Sequence, residues 1–122
     1  MDEPKKLLVL MTTGLDDERS SVALSIANGG ITAGLEVTLF LTSSAVDWAR
    51  KGAADAAHPN PMDPPIKDML DRIMESGKGV LVCPPCAKVR GYGQEDLIEG
   101  VTLIGSSAIH ELIKQGAEVL TF

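Results

Sequence analysis

Apolar positions fall into short unbroken or alternating runs, separated by longer stretches in which they recur at helical spacing. Leu7–Met11 is a continuous apolar run between charged residues and Thr-Thr-Gly, the pattern of a strand buried on both faces. Leu35, Val37, Leu39 and Leu41 alternate with other residues and predict a second strand. Gly79–Cys83, Val101–Ile104 and Ala117–Leu120 predict three more. Between the first two lies a helix whose first turn is expected to hold Asp16, Asp17 and Glu18, with Val22, Ala23, Ile26, Ala27 and Gly30 as its inward stripe and Gly34 as its stop. The Gly29-Gly30 pair within it is compatible with close packing or with a break. Thr42-Ser43-Ser44 is expected to cap a short helix through Val46, Trp48 and Ala49, ended by Gly52.

Residues 53–65, with Pro59, Pro61, Pro64 and Pro65, read as a loop of lid length. Asp63 as N-cap and Pro64 just inside then open the clearest helix, with Ile66, Met69, Leu70, Ile73 and Met74 on one face. A short helix follows Cys83, and Ser106-Ser107 are expected to cap another bearing Ile109, Leu112 and Ile113, closed by Gly116. Strands alternating with helices predict an α/β fold: a three-layer α/β/α domain over residues 1–122 with a mainly parallel sheet of about five strands. In such sheets ligands bind beyond the carboxyl ends of the strands, near a reversal of strand order. Four strands here run out into Thr12-Thr13-Gly14, Thr42-Ser43-Ser44, Cys83 and Gly105-Ser106-Ser107, so that edge is the predicted site.

Composition narrows the function classes. The 122 residues fit one domain, and 44% hydrophobic against 23% charged residues argues against disorder. With aromatics at 3%, the core must be aliphatic. A formal net charge of −6 and no basic window disfavour nucleic acid and anionic membranes as partners. No run is long enough to span a bilayer, and the apolar run behind Lys5-Lys6 is too short for a signal peptide, so a cytoplasmic protein is expected.

In that compartment two cysteines are reactive or metal-binding more often than stapling. Cys83 and Cys86 stand in Val82-Cys83-Pro84-Pro85-Cys86, where a strand enters a helix. Unpaired N–H groups and the helix dipole at that junction favour a Cys83 thiolate, and the prolines suit a first turn. Cys86, about one turn on, is placed to form a disulfide or to resolve a persulfide. Three other readings compete. Buried cysteines can be inert apolar residues. Zinc would need ligands beyond the pair, yet only His58 and His110 are available, at no standard spacing, so no metal and no cofactor are expected. Thioredoxin-like exchange uses Cys-x-x-Cys, but near the start of a domain and ahead of a cis-proline loop, neither of which fits here.

The lesser candidates are Arg90, which could support the thiolate or bind an anionic donor, and Thr13, Gly14, Ser43 and Ser106 at the strand exits. His58 is either a lid residue or an exposed loop histidine, and His110 reads as surface.

Leu7–Arg19, the Ala23–Ala27 helix, Gly34–Leu41 and, most specifically, Val82-Cys83-Pro84-Pro85-Cys86-Ala87-Lys88-Val89-Arg90-Gly91 resemble the DsrE/DsrF-like family over nearly the whole length. The resemblance implies a persulfide-bearing cysteine at Cys83, an Arg-Gly pair at Arg90-Gly91, a three-layer fold, and assembly into homotrimers or homohexamers. Cys86 departs from the single-cysteine pattern common in the family's relay subunits. The expected function is therefore a sulfur-relay protein carrying sulfane sulfur on Cys83, with Cys86 as resolving or second acceptor thiol and with sulfur-donor and thiol-acceptor partners. A dithiol oxidoreductase and an oligomeric scaffold with inert cysteines are the alternatives.

Overall fold

The structure is a computed structural model and describes residues 3–122. Five parallel strands, β1 (Lys6–Met11), β2 (Glu36–Leu41), β3 (Gly79–Val82), β4 (Thr102–Leu103) and β5 (Glu118–Thr121), form one sheet in the order β4-β3-β2-β1-β5. The helices are α1 (Arg19–Thr32), α2 (Ile66–Ser76), α3 (Pro84–Val89) and α4 (Ser107–Lys114). The Thr42–Ala49 stretch forms a 3₁₀ helix over Ser43–Ala49.

Chain direction explains the layering. The crossovers from β1 to β2 and from β2 to β3 step the same way along the sheet, so α1 and α2 pack on one face. The return from β4 to β5 steps the other way and carries α4 to the opposite face. Leu7, Val9, Met11, Val37, Leu39, Leu41, Val80 and Val82 alternate onto the α1/α2 side, where they meet Ala27, Met69, Leu70 and Ile73. Leu8 and Phe40 are buried on the other side, yet no residue of α4 is fully buried. A groove of about 790 Å³ opens there between α4 and the sheet, lined among others by Leu81, Ile104 and Leu112 and by Lys6, Glu36 and Lys78. That groove lies along the strand starts and bodies, away from the cysteines.

Several local expectations change. Helix α1 begins at Arg19, after the acidic run. Asp17 accepts the Arg19 N–H at 2.9 Å and pairs with its guanidinium at 2.6 Å instead of sitting in the first turn. The buried face of α1 is Ser20, Ser21, Ala23, Leu24, Ala27 and Gly30, while Val22 and Ile26 are exposed. Gly30 is there for close approach: a Cβ would lie 2.9 Å from Val37 Cγ2 and 3.0 Å from Leu7 Cδ2. The helix runs unbroken through both glycines to Thr32, and Gly34 takes the left-handed stop at φ 86°.

The N-cap of α2 is Pro65, not Asp63. Asp63 instead accepts the Ser21 hydroxyl at 2.8 Å, fastening loop 53–65 to α1. Neither Thr42 nor Ser106 makes a side-chain cap bond, although each occupies the cap position. No helix of the described residues is long and apolar enough to cross a membrane.

Candidate functional site

The reversal of strand order lies beside β1, where the chain returns past its first strand to β5. The crevice expected at that point is closed: the Phe122 carbonyl accepts the Thr12 N–H at 2.7 Å and its hydroxyl at 2.9 Å. The cysteines sit at the exits of β2 and β3, further along the sheet. The predicted edge is therefore the one that carries them, but the position along it differs.

Pairing of β2 with β3 brings Leu41 beside Val82, and the Cys83 N–H donates to the Leu41 carbonyl at 2.9 Å. The next residues of the two strands consequently diverge side by side. Cys83 is the N-cap of α3 with extended backbone, Pro84 and Pro85 fill the first turn, and the Ala87 N–H closes on the Cys83 carbonyl at 3.1 Å. Buried Ala87 anchors α3, while Cys83 and Cys86 are half-buried. Both thiols are free.

The donors of this corner converge on Cys86. The Ser43 N–H donates to its sulfur at 3.2 Å, and the Thr42 hydroxyl lies 3.5 Å from it. The Thr42 hydroxyl is the main influence holding the Cys86 thiol below the usual cysteine range. Partial burial opposes it, and the Cys83 thiol, the Ser43 N–H and the Arg90 charge assist it. Ser43 reaches its position with φ at 53°, and it is the sole non-glycine residue with positive φ among the described residues.

Arg90 ends α3 and folds back over it. Its guanidinium donates to the Cys86 carbonyl at 3.1 Å and faces Asp47 at 3.6 Å. Asp47 also accepts the Tyr92 hydroxyl at 2.6 Å. Beside this group is an open cavity of about 420 Å³, lined by Arg50, Lys51, Arg90, Tyr92, Glu95 and Asp96. Its far wall is held by the Lys51 N–H on the Asp96 carbonyl at 2.9 Å and the Ile98 N–H on the Ala49 carbonyl at 2.8 Å, which bury Leu97 between them.

Of the residues singled out from sequence, Cys83, Cys86, Ser43 and Arg90 come together here. Thr13 and Gly14 do not join them; they belong to a buried hub beneath the edge. Ser20 Oγ lies 3.0 Å from both the Thr13 and the Gly14 carbonyl, and the Trp48 indole N–H donates to Ser20 Oγ at 3.0 Å. A Cβ on Gly14 would stand 2.9 Å from Ser44 Cβ, so the exits of β1 and β2 are pressed together at that glycine. Ser106 is exposed at the head of α4. His58 is tied into its own loop, with Nε2 2.6 Å from the Asp63 carbonyl. Thr42, Asp47 and Tyr92 join the site in addition to the expected residues. Thr42 was legible as a strand-exit hydroxyl, whereas Asp47 becomes relevant only once the 3₁₀ helix packs against α3. Among the described residues no three His, Cys, Asp or Glu side chains cluster as a metal site.

Comparison with known proteins agrees with this architecture. The chain is 35% identical over 105 residues to the uncharacterized protein MJ0989 of Methanocaldococcus jannaschii, covering 86% of this chain and 88% of that one. It is 31% identical over 115 residues to the uncharacterized protein MK0008 of Methanopyrus kandleri, covering 94% and 91%. The crystal structure of the ychN protein from E. coli superposes with a TM-score of 0.77 at 25% identity, over 98% of this chain and all of that one. A protein of unknown function, MTH1491 from Methanobacterium thermoautotrophicum, shares the fold at a TM-score of 0.74 and 15% identity, over 97% and 99%. The DsrE/DsrF-like family profile matches residues 5–122, from the first strand to the last residue, and the chain belongs to that family.

Proposed function

We propose that this protein is a sulfur-relay protein that carries sulfane sulfur as a persulfide on its Cys83–Cys86 pair. Family membership supports the class of chemistry, and the observation that carries the reading is the Cys86 sulfur held by two donors from the neighbouring strand exit. In the transfer, a cysteine thiolate attacks the outer sulfur of a donor persulfide, R–S–SH. A new S–S bond forms to the cysteine, the donor S–S bond breaks, and R–S⁻ leaves with the electron pair. An acceptor thiolate then attacks the same outer sulfur and returns the cysteine as thiolate, so the cycle involves no net oxidation. Donor and acceptor are small persulfides or thiol proteins, and a reducing, cytoplasmic setting suits a pair that must stay free.

The second thiol supports a related outcome. Cys83 at the N-cap and Cys86 in the first turn share one short helix, so a persulfide on one can be attacked at its inner sulfur by the other. That step expels hydrosulfide and leaves a Cys83–Cys86 disulfide, which two equivalents of an external thiol reduce. Assembly into a homotrimer or homohexamer belongs to the same proposal; the incompletely covered sheet face under α4 is the surface that supports it.

Incubation of the reduced protein with glutathione persulfide, followed by intact-mass measurement, tests the function. A gain of one sulfur atom, reversed by dithiothreitol and lost in the Cys83→Ser/Cys86→Ser double variant, is the expected result. Loss of two hydrogens in the wild type, with no sulfur gained by either single-cysteine variant, would indicate a dithiol oxidoreductase, and an unchanged mass a scaffold with inert cysteines.

A further inference from the structure

The resemblance points to Cys83 as the sulfur carrier, but the geometry points to a different order of events. We propose that Cys86 is the nucleophile that first takes the sulfur, and that Cys83 acts after it as internal acceptor or resolving thiol. This rests on the sulfur-relay reading and assigns the roles within it.

Two observations converge. First, the Ser43 N–H and the Thr42 hydroxyl both address the Cys86 sulfur, at 3.2 and 3.5 Å, from a strand exit other than its own. A neutral thiol is a weak acceptor whereas a thiolate is a strong one, so such donors select the anion. Second, Ser43 adopts φ 53°, a conformation that a side-chain-bearing residue occupies at an energetic cost. That backbone turn directs its N–H at the sulfur. The Cys83 sulfur has no such donor among the hydrogen bonds of the described residues. The helix dipole offers Cys83 little in return, because α3 is only six residues long.

The entry step follows. Cys86–S⁻ attacks the outer sulfur of R–S–SH, giving Cys86–S–SH and R–S⁻. Cys83, deprotonated by R–S⁻ or solvent, then attacks either sulfur of that persulfide. Attack at the outer sulfur moves the sulfane sulfur to Cys83 and restores the Cys86 thiolate; attack at the inner one closes the disulfide and releases hydrosulfide. Thr42 and Ser43 are positioning residues in this scheme.

Residue-resolved alkylation with iodoacetamide, an uncharged reagent indifferent to Arg90, tests the assignment on the reduced, folded protein. Cys86 is expected to react at least about tenfold faster than Cys83 at neutral pH, its rate levelling off below the free-cysteine midpoint of about 8.5. Thr42→Val should move the Cys86 profile toward that midpoint without altering the Cys83 rate. With glutathione persulfide, Cys83→Ser should still gain one sulfur and Cys86→Ser should not. Faster alkylation of Cys83, or sulfur uptake by Cys86→Ser at the wild-type rate, overturns the assignment. Failure of the wild type and of both single-cysteine variants to take up sulfur overturns the relay reading instead, and the alkylation order still decides which thiol is ionised. Should Cys86→Ser not fold, the Thr42→Val profile decides between the two cysteines: a Cys86 midpoint that does not move overturns the assignment.

Discussion

The Tyr92 hydroxyl donates to Asp47 Oδ1 at 2.6 Å, joining the segment after α3 to the 3₁₀ helix after β2. The same carboxylate faces Arg90, whose guanidinium also reaches the Cys86 carbonyl, so one aspartate sets how α3 sits against the β2 exit. Because the bond is made by the neutral phenol, Asp47 and then burial hold the Tyr92 hydroxyl above its ordinary titration range. The chain has one tyrosine, so the effect can be read directly.

Alkaline absorbance titration should therefore show phenolate forming at higher pH in the folded protein than in guanidinium. The sign is that of a group whose pKa rises on folding. Its stabilisation is complete below the unfolded pKa of about 10 and disappears as pH climbs through the folded value. Tyr92→Phe should cost about 1.5–3 kcal/mol in denaturant unfolding, the range for a hydrogen bond to a charged partner. A folded-state titration coinciding with the unfolded one would show that this bond does not persist in solution.

Gly29 and Gly30 are adjacent in α1 and should respond oppositely to alanine. At Gly29 a Cβ meets nothing within 4 Å, so Gly29→Ala gains helix propensity and should stabilise the protein by about 0.5–1 kcal/mol. At Gly30 the added methyl collides with Val37 and Leu7, both in the core, and Gly30→Ala should destabilise by about 1–3 kcal/mol despite the same propensity gain. Paired thermal melts decide this. Shifts of the same sign would mean that the helix does not lie as close to the sheet as the structure places it.

Such contrasts mark where the sequence was readable. Period-two and unbroken apolar runs locate all five strands to within about a residue or two, most clearly β1 and β2, where a buried parallel strand has no polar face to blur the pattern. The face of α1 is hidden in the sequence for the opposite reason. Ser20 and Ser21 are buried, and their polarity is absorbed by Thr13, Trp48 and Asp63, partners distant in the chain. Two exposed apolar residues, Val22 and Ile26, took their place in the expected stripe. At the site, the Cys-x-x-Cys pair and Arg90 were visible as residue types. Which sulfur receives the donors depends on the turn at Ser43, and its positive φ leaves no trace in a serine.

Ser20 offers a test of that hidden network. Its hydroxyl is buried between the Thr13 and Gly14 carbonyls and accepts from Trp48, so Ser20→Ala removes these bonds and leaves the indole N–H only the Thr13 carbonyl at 3.2 Å. The expected cost is about 0.5–1.5 kcal/mol. Trp48 is the single tryptophan and is 1% exposed, so its emission reports on the same place. Ser20→Ala should shift that emission without changing the alkylation rates of Cys83 and Cys86, since the hub lies under the edge and not on it. An unaltered emission spectrum together with unaltered stability would remove the hub from the account of how the strand exits are held.

The lowered Cys86 pKa also makes a thermodynamic prediction that does not depend on catalysis. Unfolded, the thiol titrates near about 8.5; folded, the Thr42 hydroxyl and its assisting donors move it lower. Between the two values the unfolded chain binds more protons, so stability must rise with pH across that interval. The contribution is fully present above the unfolded value and is lost as pH falls through the folded one. Subtracting the urea-unfolding free energy of Cys86→Ala from that of the wild type, in reducing buffer from about pH 6 to pH 9, isolates this contribution because the other groups cancel. The difference should grow with pH and level off near the upper end. Thr42→Val should flatten it, since the hydroxyl that discriminates thiolate from thiol would be gone. A difference independent of pH in the wild type would mean that the corner formed by Thr42, Ser43 and Cys86 does not stabilise an anion, and the order of sulfur entry would have to be sought elsewhere.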